Sequence, residues 1–190
     1  MRWSRHSMVR IVMLFVSLVI MGGCSFSENN PISSPQPTPP EEDGGIQFVL
    51  FDITGNEVSF QNFRGKPAVL IFFKTYCPHC QDEAPFLETV YQKYRDQVEF
   101  LGIAVNEQGT SGALIAERSM YAIQVRNQFV ERYGWTFPVL IDDYGRVQRE
   151  LAGTGVPSLV FVDARGFVKK VIKEVISQSA LEQAIVVYLL

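Results

Sequence analysis

Cys77 and Cys80, separated by two residues, are the side chains of this sequence best placed to do chemistry. A thiolate attacks a disulfide sulfur and a second thiol then resolves the mixed disulfide, so such a pair can pass two electrons to or from a partner. The flanking pattern assigns the roles. Val69-Leu70-Ile71-Phe72-Phe73 is a continuous apolar run and reads as a buried parallel strand. Beyond the cysteines Phe86, Leu87, Val90, Tyr91 and Tyr94 recur at helical spacing. Cys77 therefore falls at a helix N-cap, where unpaired N–H groups and the positive dipole end favour a thiolate. Pro78 takes the first helical position, where its missing N–H costs nothing. Cys80 lies one turn further in and is more shielded. Cys77 is expected to attack and Cys80 to resolve. His79, between them, is expected to favour the Cys77 thiolate when protonated.

Two close cysteines could also be half a zinc site, but zinc takes four ligands. The chain has three cysteines and two histidines, and Cys24 and His6 lie far away near the N-terminus, so no metal is expected. A purely structural bridge closing so short a loop would restrain little of the unfolded chain. With 17 Lys and Arg against 20 Asp and Glu, the chain has no basic footprint, and nucleic acid is not an expected partner. Its 190 residues fit one globular domain plus extensions.

The elements that must position the cysteines can be read in order. Residues 1–23 have the form of a secretory leader: Arg2, Arg5 and Arg10, an apolar stretch from Val9 to Met21 interrupted by Arg10 and Ser17, then Gly22-Gly23. Met21-Gly22-Gly23-Cys24 resembles a bacterial lipobox, with Met21 where Leu is usual, so Cys24 is the expected lipidation site. Lipidation of Cys24 leaves an even pair of cysteines. Residues 24–45 are a Pro-rich spacer that cannot bury a core. A folded domain is expected over 46–190. It opens with a hairpin, Gln47–Asp52 and Val58–Phe60 around Thr54-Gly55-Asn56-Glu57. Val98–Val105 reads as the next buried strand, and helical spacing from about Ala113 ends at Gly134. Phe137–Asp142 is a short strand and Tyr144–Leu151 a short helix. Ser158–Val162 and Phe167–Ile172 form a second hairpin, and Ser177–Leu190 a closing helix.

Several separated motifs carry a family resemblance. They are Gly65-Lys66-Pro67, Cys77-Pro78-His79-Cys80 followed by Glu83 and Pro85, Phe137–Asp142, Gly155-Val156-Pro157-Ser158 and Phe161–Gly166. Together they resemble the TlpA/ResA branch of the thioredoxin superfamily, membrane-tethered thiol–disulfide oxidoreductases of the bacterial envelope. The resemblance implies an α/β thioredoxin fold: a central mixed sheet with helices on both faces, an N-terminal β-hairpin and an inserted segment near 106–133. It implies a cis peptide bond before Pro157, with the Val156 backbone facing the cysteines and available to a substrate strand. Glu83 matches the family's active-site glutamate, expected to exchange a proton with Cys80. As an acidic residue near a helix N-terminus, it also has a purely structural explanation. Phe73 and Tyr76 stand where many relatives carry tryptophan, and Ile71 where ordinary thioredoxins bury an Asp. Lys74 replaces a small residue. It is expected to be a solvated charge at the strand end, or else to help hold a thiolate.

The expected activity is thiol–disulfide exchange outside the cytoplasm by a lipid-anchored monomer. Its cofactor would be none beyond the redox-active Cys77–Cys80 disulfide. Its partners would be disulfide-containing envelope proteins and a membrane electron donor. A peroxiredoxin would need Pro-x-x-x-Thr-x-x-Cys, and Lys66-Pro67-Ala68-Val69 has no cysteine at that distance. A Sco-type copper carrier uses Cys-x-x-x-Cys and a distant His, whereas this spacing is one residue shorter. Pro78-His79 is also the dipeptide of the oxidant DsbA, which leaves oxidation as the alternative direction.

Overall fold

The structure is a computed structural model that describes residues 44–109 and 115–190. The leader, Cys24, almost all of the spacer and residues 110–114 of the inserted segment lie outside the described residues.

The fold is built around β3 (Ala68–Phe73), all six residues of which are buried. It pairs in parallel with β4 (Glu99–Asn106), which pairs in parallel with β5 (Val139–Asp143). On its other side lies antiparallel β6 (Ser158–Val162), followed by antiparallel β7 (Val168–Ile172). β1 (Val49–Asp52) and β2 (Glu57–Ser59) form a hairpin that adds antiparallel to β5. The result is a seven-stranded mixed sheet of order β2-β1-β5-β4-β3-β6-β7.

Alternate residues of a strand face opposite sides of its sheet, and both sides of β3 are covered. Val69, Ile71 and Phe73 pack with α1 (Pro78–Tyr94) and α5 (Gln178–Tyr188). Leu70 and Phe72 pack on the other face with Phe60, Val147 and Ala152, where α4 (Arg146–Leu151) lies. This explains why β3 reads as an uninterrupted apolar run instead of an alternating one. The α/β thioredoxin fold, its N-terminal hairpin and its helices on both faces are as the motifs imply.

Local departures have local causes. Phe60 does not extend β2: Ser59 Oγ accepts the Gln61 N–H at 3.3 Å and starts a 3-10 turn over Phe60–Phe63. The inserted helix is not uniform either. α2 (Ile115–Val125) passes into a π-helical turn, Arg126–Val130, and then α3 (Glu131–Tyr133), ending at Gly134 with φ 65°. The wide turn accompanies two anchors: Phe129 is buried, and the Arg126 guanidinium donates to Ile53 O at 3.1 Å. Phe129 then meets Phe73 with ring centroids 4.5 Å apart, and Trp135 sets its edge against Phe73 at 5.2 Å. Trp135 Nε1 donates to Ala84 O of α1 at 3.0 Å. This aromatic cluster locks the insert to both the central strand and the redox helix. Gly102 makes room for it, because a Cβ there would lie 3.1 Å from Val139 and 3.3 Å from Phe137.

Candidate active site

The carboxyl end of β3 delivers the chain through Lys74-Thr75-Tyr76 to the start of α1. Cys77 is the N-cap, in extended conformation at φ −80° and ψ 115°, with Pro78 directly after it. The Cys80 N–H donates to Cys77 Sγ at 3.3 Å, so one of the helix's free N–H groups is spent on sulfur. Both cysteines are free thiols, Cys77 partly exposed and Cys80 buried. Burial pushes the Cys80 thiol up, and its hydrogen bond with Cys77 adds to that. The two sulfurs thus occupy different environments: one at the surface on a helix N-terminus, one beneath it.

The turn is held from two sides. Thr75 is buried, its carbonyl accepting Gln81 Nε2 at 2.8 Å and its hydroxyl accepting Gln124 Nε2 of α2 at 3.2 Å. Lys74 differs from its sequence expectation. It is 9 % exposed, not solvated, and its ammonium sits 2.5 Å from Glu107 Oε1. Tyr76 donates to the other oxygen of Glu107 at 3.4 Å. The Lys74 hydrogen bond is the main reason that the Glu107 carboxyl lies below its ordinary value. Glu107 itself is 57 % exposed on its side chain, so the pair contributes at most about 1 kcal/mol, and its effect is chiefly geometric. Glu107 carried no sequence signal, because nothing in its local pattern names a partner 33 residues away.

His79 points outward. Its ring is exposed, with Nδ1 3.8 Å from Asp82 Oδ2 one turn along α1.

Glu83 lies one turn beyond Cys80 and is 2 % exposed. Its Oε1 accepts the Ile176 N–H, from the loop before α5, at 2.8 Å. Burial pushes the carboxyl up to about 7, against the pull of that N–H and of His79. A surface acid placed only to suit the helix dipole would not be buried. Glu83 is also close enough for its charge to raise the Cys80 thiol.

Opposite Cys77 lies the Val156–Pro157 peptide bond, which is cis. The Cys77 thiol points at Val156 O, 3.7 Å away. The structure therefore brings together Cys77, Pro78, Cys80, Glu83, Val156 and Pro157. It turns His79 outward and gives the Lys74 ammonium to Glu107. Residues that the sequence reading passed over are Glu107, Gln81, Gln124 and the backbone of Ile176.

Comparison with known proteins gives the family and the fold. The AhpC/TSA family model matches residues 43–171, which include both cysteines and the cis-proline loop. The chain is 28% identical over 188 residues to thiol-disulfide oxidoreductase ResA of Geobacillus thermodenitrificans, covering 96% of each chain. It is 30% identical over 137 residues to the ResA of Bacillus thuringiensis, covering 72% of this chain and 69% of that one. Among solved structures it resembles a secreted Mycobacterium tuberculosis disulfide oxidoreductase described as homologous to E. coli DsbE. That likeness has a TM-score of 0.62 and 26% identity, over 76% of this chain and 98% of the other. The chain belongs to the AhpC/TSA family, within which it is a ResA-like thiol–disulfide oxidoreductase of thioredoxin fold.

Proposed function

We propose that this enzyme reduces disulfides of selected envelope proteins by dithiol–disulfide exchange through Cys77 and Cys80. The observation that carries the reading is the asymmetry of the two sulfurs: a partly exposed Cys77 receiving a helix N–H, and a buried Cys80 beside Glu83. The Cys77 thiolate attacks one sulfur of the substrate disulfide. That S–S bond breaks, the other substrate sulfur leaves as a thiolate, and a mixed disulfide forms. The Cys80 thiol gives its proton to Glu83 and attacks Cys77 Sγ. The second substrate sulfur leaves, and the substrate has gained the two electrons that the protein has lost as the Cys77–Cys80 disulfide. Burial makes the Cys80 thiolate costly, so a carboxylate that titrates near neutrality is the appropriate acceptor.

The site is proposed to work outside the cytoplasm, on a monomer held by a lipid on Cys24 and a Pro-rich spacer. The leader's residues support this, as does the described secretion of the Mycobacterium relative. A dithiol donor in the membrane would return the disulfide to the reduced state. The Pro78-His79 dipeptide favours an oxidant; the motifs spread along the domain favour a reductant, and they carry more weight because two residues can tune a potential without changing partners. Lys74, held by Glu107, and the outward His79 tune the site at most indirectly.

Glu83→Gln should slow closure of the Cys77–Cys80 disulfide about 100-fold at pH 8. Glu83 is a carboxyl raised to about 7, so it is ionised and able to accept a proton above that pH and protonated below it. Wild-type closure rates, followed by stopped-flow mixing with a model disulfide, should therefore fall as pH drops through about 7. The Gln variant should lack that inflection, and an unaltered pH profile would remove Glu83 from the mechanism. Equilibration with glutathione should give a potential well below the approximately −120 mV of DsbA; a value at that level would make the protein an oxidant. Wild-type protein expressed in bacteria should partition into detergent and Cys24→Ala should change that, whereas a Cys24→Ala protein processed and membrane-bound like wild type would exclude the lipid anchor.

A further inference from the structure

The loop that presents Val156 has little of its own to hold its shape. Gly153 and Gly155 both have positive φ, at 72° and 103°, and Thr154 and Gly155 are exposed. Its support comes from below. Gln148 of α4 is 3 % exposed, and its Nε2 donates to Gly155 O at 2.5 Å. Ser158 Oγ reaches the same carbonyl at 3.4 Å. Gln148 is itself seated: its backbone N–H donates to Asp142 Oδ2 at 2.8 Å, and the Val147 N–H to Asp142 Oδ1 at 3.2 Å. Asp142 is fully buried in β5, paired with Val105 of β4. A continuous polar chain thus runs from the sheet through α4 to the carbonyl just before Val156.

A buried amide is costly unless it is hydrogen-bonded, whereas Leu or Met would fill the same space without that cost. The polarity of Gln148 is therefore spent on Gly155. Fixing the Gly155 carbonyl fixes the plane of the next peptide unit and hence the direction of Val156. We infer that Gln148, seated on Asp142, is a positioning residue that aims the Val156 backbone at an extended cysteine-flanking segment of the substrate protein. This rests on the reading that substrates are attacked at Cys77. The recognition is main-chain to main-chain, as in strand addition, so this contact demands a polypeptide disulfide, leaves the choice among them to side chains elsewhere, and gives nothing to a disulfide without a peptide backbone.

The test compares two disulfides on the full chain. Gln148→Met keeps the volume and removes the donor, and Gln148→Leu is the second variant. Insulin reduction should show a KM raised about tenfold with kcat within about twofold of wild type, the pattern of lost binding common to ground and transition states. Reduction of hydroxyethyl disulfide, which has no peptide backbone, should be unchanged. Amide hydrogen exchange should quicken at residues 153–158 and not in α1. An insulin KM within about twofold of wild type would overturn the inference. So would an equal loss on both disulfides, or failure of both variants to fold, because each makes Gln148 a general structural residue. A wild-type chain inert towards both disulfides would overturn the underlying reading of Cys77 instead.

Discussion

Two sulfurs three residues apart at the start of one helix would differ only by its N-terminal dipole and N–H groups if the helix lay on the surface. They differ further here because α1 enters the core at its first turn. The N-cap sulfur stays at the rim and takes a helix N–H, and the next sulfur goes under. Dipole and N-cap hydrogen bond are each worth about 1 kcal/mol, while burial of a charge without a partner costs several. The larger effect is therefore the one that restrains Cys80, and the proposed order of attack rests on it. In that proposal Glu83 stands on the expensive side.

The rest of the fold maintains that entry angle. β3 is buried on both faces, so its direction and end point are not adjustable. Trp135 holds α1 at Ala84 O, Gln124 holds the turn at Thr75, and the Lys74–Glu107 pair ties the end of β3 to the chain just beyond β4. The cis-proline loop is held separately, through Gln148 and Asp142. The Cys77 turn and the cis-proline loop thus have separate hydrogen-bonded supports on one sheet, and Cys77 Sγ meets Val156 O between them.

Much of this was legible in the residues. The apolar run, the Cys-x-x-Cys, Pro78 and the helical spacing place Cys77 at the helix N-cap without any structure, because each acts through its immediate neighbours. The family motifs extended that reading to Pro157 and Glu83. What could not be read depends on partners remote in sequence or on the direction in which an exposed side chain turns. Lys74 looked like a solvated strand end, yet Glu107 draws it under cover. His79 looked like a companion of Cys77, yet its ring leans towards Asp82. The π-helical turn keeps the apolar spacing of an ordinary helix, so periodicity could not show it. Gln148, one polar residue in a short amphipathic helix, gave no sign that its amide supports a loop seven residues on.

Limiting alkylation reads the division of labour between the two sulfurs. The reduced full chain is treated with less than one equivalent of iodoacetamide, and its peptides are mapped by mass spectrometry. Label is expected on Cys77 while Cys80 remains free, with mixed disulfides to substrate accumulating on Cys77 in Cys80→Ser. Label on Cys80 first, or on both at equal rates, would contradict it.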